Sequence, residues 1–239
     1  MWYYLPIREN AISQLRFLVN NMDFTEKELS VIERCELFTG FSGGTLGEAL
    51  KFFKAEARHH QKGECLCGVG DTLLGFGLVL SGTVQVFTED INGERVIMAN
   101  VPAGATFGES LCYLSEKNSP VFVFAQTECS VLWMKCDNLK ISGEENLILR
   151  ERFISMLARR ALSMNDRIQI LSKLTLREKL LTYFSQCAKE QKSRTFSIPL
   201  DRESLAIYLG VNRSALSREL SKMQKDGLIE FYKNSFKIL

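Results

Sequence analysis

The sequence predicts an α+β chain: a small antiparallel β-barrel of the jelly-roll type, one long helix, and a C-terminal winged helix-turn-helix. Three observations predict it. Residues 201–231, DRESLAIYLGVNRSALSRELSKMQKDGLIEF, hold two short amphipathic helical patterns around a Leu209-Gly210-Val211 joint. From about Ala55 to Cys136, short alternating apolar runs are separated by glycine-bearing turns. Between these regions Ile154, Leu157, Ala161, Met164, Ile168 and Leu171 recur at alternating steps of three and four.

Composition sets the bounds. A chain of 239 residues, 46% hydrophobic and 24% charged, reads as a soluble globular protein of one large or two small domains. No apolar run approaches the ~20 residues needed to span a bilayer. The start, MWYYLPIREN, lacks the basic and then apolar pattern of a signal peptide, so a cytoplasmic location and no membrane partner are expected. Seven cysteines form no secreted-scaffold rhythm. Cys35, Cys112, Cys129, Cys136 and Cys187 sit among apolar neighbours and read as small buried hydrophobes. Beyond a capping box at Thr25–Glu28, residues 1–30 are not assigned.

Taken in order, Thr25-Glu26-Lys27-Glu28 and Thr45-Leu46-Gly47-Glu48 both match a capping box before an apolar run. Leu78-Val79-Leu80, Thr83-Val84-Gln85-Val86-Phe87 and Arg95-Val96-Ile97-Met98 fit strands, and Asp90-Ile91-Asn92-Gly93 is a hairpin turn. A long helix runs from about Gly143 to Leu174. Its apolar seam, with Arg159, Arg160, Asp166 and Arg167 off it, favours a parallel two-stranded coiled coil and hence a homodimer. A helix lying on its own barrel is the plainer alternative. Thr175-Leu176-Arg177-Glu178 is another capping box, so the hinge falls at Leu174-Thr175. The expected division is 1–142 for N-terminal helices and barrel, 143–174 for the dimerisation helix and 175–239 for the winged helix-turn-helix.

In the C-terminal region, Leu205, Ala206 and Leu209 line one face of the first pattern, and Leu216, Leu220 and Met223 one face of the second. Ala206 is small enough for close helix crossing, and Gly210 suits the sharp turn. Asn212 is a good N-cap. Arg213, Ser214, Ser217 and Arg218 then point away from the buried face, as in a recognition helix entering the major groove by its N-terminal end. Asp226-Gly227 stops the helix. Leu228–Tyr232, a Lys233-Asn234-Ser235 turn and Phe236–Leu239 read as a hairpin wing. From Leu176 on there are 12 Lys and Arg against 7 Asp and Glu, a net of +5, leaving −3 for the rest of a chain whose total is +2. The basic excess lies where phosphates would be met, so double-stranded DNA is the expected partner. No nucleophile triad, paired carboxylates or phosphate-cradling loop points to an enzyme.

Barrel, long helix, hinge and winged helix-turn-helix, in that order, resemble the Crp/Fnr family of bacterial transcription regulators from about Val31 to Leu239. The residues carrying the resemblance are Lys62-Gly63-Glu64, Gly70-Asp71, Leu80-Ser81-Gly82-Thr83-Val84, Phe107-Gly108-Glu109, Ile198-Pro199-Leu200-Asp201-Arg202 and Val211–Arg218. The resemblance implies a cyclic-nucleotide-binding-like barrel and a homodimer on a pseudo-palindromic operator, with RNA polymerase as a candidate further partner. Arg213 and Arg218 suit bidentate contact with guanine, and Ser214 and Ser217 contact with bases or phosphates. Where cyclic-AMP-responsive members carry a glutamate after the first arginine, this chain has Ser214, so its half-site differs from theirs.

The same resemblance marks an effector pocket at Phe107, Gly108, Glu109, Ser110, Ser119, Pro120, Phe122, Met164 and Asn165. It also argues against cyclic AMP. The family's Arg-Ser phosphate grip falls on Ser119-Pro120, which offers no cation and, at proline, no amide N–H. The adenine-contacting pair on the dimer helix falls on Met164 and Asn165. An iron–sulfur cluster is not expected: only Cys35 precedes the barrel, and Cys65-Leu66-Cys67 is too tight. His59 and His60, the only histidines, project to opposite faces of a strand, so no metal or haem site is expected. Phe107, Phe122, Phe124 and Trp133, near Cys112 and Met164, read either as a plain barrel core or as the lining of an apolar pocket for an unknown small-molecule effector. A barrel serving only as a dimer scaffold, or a redox response through cysteines, are the alternatives.

Overall fold

The computed structural model describes residues 24–73, 75–114, 118–141 and 146–239. The expected helix start at Gly143 and the 142/143 boundary lie outside the described residues, as do residues 1–23 of the unassigned 1–30 stretch. The chain forms two compact units, one ending at Leu157 and one running from Ala158 to Leu239.

In the first unit, helix α1 (Glu26–Arg34) is capped as expected. Thr25 N–H donates to Glu28 Oε2 at 2.9 Å, and Glu28 N–H to Thr25 Oγ1 at 3.2 Å. Helix α2 (Gly43–Phe52) departs from expectation. Its N-cap is Ser42, whose N–H donates to Thr45 Oγ1 at 3.1 Å, so Thr45–Glu48 lies inside the helix and is not its cap. Gly43, at φ 51°, lets the chain turn into the helix before Thr45.

Eight strands follow: β1 (Glu56–His60), β2 (Cys65–Cys67), β3 (Phe76–Ser81), β4 (Thr83–Glu89), β5 (Arg95–Pro102), β6 (Thr106–Phe107), β7 (Phe122–Ala125) and β8 (Cys129–Met134), with helix α3 (Glu109–Leu114) between β6 and β7. They form two antiparallel four-stranded sheets, ordered β1-β8-β3-β6 and β2-β7-β4-β5. The period-2 alternation of strands sorts their side chains. Val79, Phe107 and Val131 of the first sheet meet Val84, Val101, Val123 and Ala125 of the second in one core. Phe76, Leu78, Leu80, Leu132 and Met134 point the other way, into a core shared with α1 and α2. Gly77 is required at this sandwich: a Cβ there would lie 2.4 Å from the Phe107 ring. The Asp90–Gly93 turn forms as expected, Asp90 Oδ1 accepting from the N–H groups of Asn92 (2.8 Å) and Glu94 (2.9 Å). His59 and His60 lie on edge strand β1, the first exposed and the second buried.

The long helix α4 (Leu147–Leu171) has 25 residues. Leu149, Phe153 and Met156 join the core of the first unit, while Ile170 joins that of the second. The division between compact units therefore falls within α4 rather than setting residues 143–174 apart. In the second unit, helix α5 (Leu176–Glu190) starts at the expected Thr175–Glu178 capping box. Strand β9 (Thr195–Ser197), helices α6 (Arg202–Leu209) and α7 (Arg213–Lys225), and strands β10 (Ile229–Tyr232) and β11 (Ser235–Ile238) complete it. The wing gains an unexpected third strand, in the order β10-β11-β9, because Phe196 and Phe236 stack against Phe184. Ser235, expected in the turn, pairs with Tyr232 instead.

Phe76 sits at the centre of the first unit's outer core, edge-on to Phe53 at 5.7 Å and to Phe153 at 5.5 Å. It is fully buried. Phe76→Ala is expected to lower stability by about 3–5 kcal/mol, measured by denaturant unfolding at unchanged slope.

Candidate nucleic-acid interface

The tight joint between α6 and α7 is built from caps. Asp201 opens α6 by accepting from Ser204 N–H at 2.7 Å. That amide bond, and then the positive charge of Arg213, hold its carboxyl below the usual carboxylate range. Gly210 ends α6 in the left-handed conformation, at φ 67° and ψ 40°. Val211 N–H then donates to Ala206 O at 3.0 Å. The small Ala206 is buried at the crossing. Asn212 caps α7, its Oδ1 accepting from Ala215 N–H at 2.8 Å and from the Ser214 hydroxyl at 2.9 Å.

With Leu216, Leu220 and Met223 buried, α7 turns Arg213, Ser214, Ser217 and Arg218 to solvent. All four expected side chains thus share one exposed surface at the N-terminal part of the helix. Asn212, grouped with them by sequence, spends its side-chain oxygen on the cap. Arg218 Nε donates to Ser214 O at 3.3 Å, laying the arginine stem along the helix. The exposed face continues through Ser221, Lys222 and Lys225, which their 3-4 spacing from Arg218 could have revealed.

Long-range contacts that spacing could not show set the posture of α7. Arg177, at the start of α5, reaches Glu219 Oε1 with Nε at 2.6 Å and Asp226 Oδ2 with Nη1 at 2.8 Å. Those two carboxylates raise the Arg177 pKa. Lys179 Nζ donates to Leu209 O at 3.3 Å, holding the joint from the same helix. Arg202 positions the wing. Its Nη2 donates to Lys233 O at 2.7 Å, and its guanidinium lies over Phe231 (5.2 Å) and Phe236 (5.0 Å). A cleft of about 630 Å³ opens between these parts, with Arg202, Arg213 and Lys233 facing Asp201 and Glu203. Cations on such a rim are of the kind that meets phosphates.

The barrel residues expected to form one effector pocket do not all share one face. Phe107 is buried, edge-on to Trp133 at 5.3 Å. Gly108, at φ 82°, turns the chain into α3, where Glu109 is buried and Ser110 exposed. Ser119 is buried and engaged locally, its hydroxyl donating to Val121 O at 2.7 Å, and Pro120 is exposed. Phe122 and Phe124 lie on the face opposite Val123 and Ala125. They form a separate cluster with Phe87 under the Arg95 guanidinium, away from Phe107. The reason is strand alternation: two phenylalanines two residues apart share a face, and here it is not the core face. Met164 and Asn165 are exposed on α4 within the second compact unit. A cavity of about 460 Å³ lies on the barrel unit beside Trp133, Leu66 and Leu73, with Lys54, Arg58 and Lys135 among its lining. Of the expected aromatic set, Trp133 alone lines it.

Comparison with known proteins places this geometry. Residues 57–140 match the Cyclic nucleotide-binding domain, and residues 152–239 match the Crp-like helix-turn-helix domain. The chain is 27% identical to Electron transport regulator A of Shewanella oneidensis over 71% of its length and 69% of the relative's. It is 25% identical to the Fumarate and nitrate reduction regulatory protein of Escherichia coli, over 71% and 69%. Among solved structures it is similar in fold to the c-di-GMP responsive regulator CLP of Xanthomonas campestris, with a TM-score of 0.51 at 18% identity, covering 79% of this chain and 95% of that one. No helix among the described residues is long and apolar enough to cross a membrane. A cyclic-nucleotide-binding domain followed by a Crp-like helix-turn-helix whose basic face is open to DNA places the chain in the Crp/Fnr family of transcription regulators.

Proposed function

We propose that this regulator works as a parallel homodimer on pseudo-palindromic DNA, each α7 reading one half-site, under the control of a small molecule other than cyclic AMP. The observation that carries the DNA reading is the exposed row Arg213, Ser214, Ser217 and Arg218 at the start of a helix whose opposite face is buried. Arg213 and Arg218 are the base readers, each bidentate to a guanine edge. Ser214, Ser217, Lys222 and the wing residue Lys233 meet the backbone. Arg177 and Arg202 fix helix and wing relative to each other.

The dimer rests on α4. Once Phe153 and Met156 are buried, the helix still shows Ile154, Met164 and Ile168 at 59%, 62% and 62% exposure. Leu157 is half-buried against the first unit's core and is shared between that core and the seam. An apolar stripe at heptad spacing is costly in water and is covered by the same stripe of a second copy. Two-fold symmetry then sets the recognition helices about 34 Å apart, one turn of DNA.

The case against cyclic AMP rests on Ser119 and Pro120. The Ser119 hydroxyl is already donated to Val121 O, and Pro120 has no N–H to offer a phosphate. A charge-assisted bond to phosphate is about twice as strong as a neutral one, so its absence weakens binding steeply.

Arg213→Ala and Arg218→Ala are each expected to reduce discrimination between operator and random DNA by about 1–3 kcal/mol in a competition binding assay, with fold and oligomeric state unchanged. An unaltered preference would refute the assignment of base reading to these arginines. Ile168→Glu places a charge against its symmetry mate and should give monomers by sedimentation velocity; dimers of undiminished affinity would remove α4 as the interface. Calorimetric titration with millimolar cyclic AMP is expected to give no saturable heat, and micromolar binding coupled to tighter operator binding would show that the phosphate site lies elsewhere.

A further inference from the structure

The cavity of about 460 Å³ in the first unit belongs neither to the DNA-reading face nor to the family's effector motif. None of Phe107, Gly108, Glu109, Ser119 and Pro120 lines it. Its size falls in the range of small-molecule sites, about 300–1,000 Å³. Strand register explains its lining. Side chains of residues paired across neighbouring strands share a face. Glu56 pairs with Trp133, and Arg58 with Val131. Val131 is in the core between the two sheets, and Trp133 packs against that core. Glu56 and Arg58 therefore lie on the barrel's inner face, where the neighbouring strands carry Val79 and Val131. Ala57, between them, packs on the outer core instead. Charges on an edge strand also deter pairing with other sheets. That role requires neither a cavity beside them nor a half-buried indole lining it.

We infer that this cavity is the effector site and that its ligand is a small aromatic carboxylate. Trp133 supplies the ring face. It is held from two sides, edge-on to Phe107 at 5.3 Å and donating from Nε1 to His60 Nε2 at 3.4 Å. His60 is held in turn, its Nδ1 2.6 Å from Glu64 Oε1. An indole fixed in this way receives a ring without further ordering. Leu66 and Leu73 add apolar wall. The charge of the site follows from its ion pairs. Glu56 Oε2 accepts from Arg58 Nη2 at 2.9 Å, and Asp71 Oδ2 from Gly68 N–H at 2.7 Å. Lys54 Nζ meets Asp137 Oδ2, outside the lining, at 3.2 Å. Lys135 makes no ion pair among the described residues. The Arg58 bond and, more weakly, the Lys135 ammonium hold the Glu56 carboxyl below the usual carboxylate range, so the Lys135 charge reaches the space that Glu56 borders.

The lining thus sets the cations Lys54, Arg58 and Lys135 against the carboxylates Glu56 and Asp71 and leaves one ammonium without a counter-charge, which suits a monoanion. The Arg58–Glu56 pair is exposed and screened, so Arg58 is open to exchange onto a ligand. Trp133 and Lys135 are two residues apart, about 7 Å along an extended chain, a span that suits a ring bearing a carboxylate on a short arm. The site also has a route to the rest of the first unit. Trp133 touches Phe107, at the start of the effector motif. Met134, in the lining, shares the outer core with Leu149 and Phe153 of α4.

The test titrates the full chain with phenylacetate and 3-phenylpropionate by calorimetry, and by fluorescence in a Trp2→Phe variant whose one remaining indole is Trp133. Saturable binding with a Trp133 response is expected. It should be about tenfold or more weaker for uncharged phenylacetamide and for acetate, which lacks the ring. Lys135→Ala and Arg58→Ala, both at exposed positions, should each weaken phenylacetate binding about tenfold. Glu56→Gln releases Arg58 and should tighten it, while Lys62→Ala, an exposed lysine outside the cavity, should leave it unchanged. No saturable binding of either acid at millimolar concentration overturns the site in the unmodified chain, whether or not any variant folds. Binding that ignores Lys135, Arg58 and Glu56 alike places the ligand elsewhere, and equal affinity for the amide overturns the ligand class. The effector role rests on the regulator reading above, but ligand binding does not. Saturating phenylacetate should change affinity for a DNA site selected by the ligand-free chain about fivefold or more. Binding with unchanged DNA affinity overturns the effector role. A chain that selects no DNA would strike the regulator reading and leave the binding site intact.

Discussion

One helix with two apolar faces organises the molecule. Helix α4 buries Leu149, Phe153 and Met156 in the core of the first unit and Ile170 in the core of the second, yet still carries Ile154, Met164 and Ile168 in the open. Apolar area left in water is costly, at about 25 cal/mol per Å², and the proposed dimer would cover this stripe. The barrel unit and the helix-turn-helix unit share this helix.

The reading unit shows how small polar contacts fix a functional posture. Helix α7 is amphipathic, and its apolar face would allow some rotation about its axis. The two ion pairs of Arg177, one to Glu219 and one to the C-terminal cap Asp226, restrict it at two points along its length. Each partner is only partly exposed, so these pairs are screened less than a surface pair, although each remains modest in energy. Their value is geometric. They tie α7 to α5, whose N-cap Thr175 lies four residues beyond the end of α4. Arg202 does the same for the wing through one backbone carbonyl and two aromatic faces.

Most of the local architecture was legible in the sequence, because local rules govern it. Asn212, Gly210 and the Thr175–Glu178 box appear as caps because their hydrogen bonds span three or four residues. The barrel strands appear because alternation and glycine turns are short-range signals. Where two local signals compete, the sequence alone chose wrongly: Thr45–Glu48 satisfies the capping pattern, but Ser42 begins the helix. Strand β9 escaped notice because its three residues carry little pattern, and only packing of Phe196 on Phe184 and Phe236 places them. The effector motif was legible as residues but not as a site. Phe122 has the right composition and the wrong face, and the bond that occupies the Ser119 hydroxyl is visible only in space. The contacts of Arg177 and Arg202 join residues 29 to 49 apart in sequence, beyond any periodicity.

The central claim is that two copies of α7, tied through paired α4 helices, read DNA with two-fold symmetry. The most direct measurement is selection of binding sites from random double-stranded DNA by the purified full chain, followed by sequencing. The account predicts enriched inverted repeats whose half-site centres lie about 10 base pairs apart, one turn of the duplex, with guanines at the positions met by Arg213 and Arg218. Enrichment of a single asymmetric site, or of no sequence at all, would contradict it.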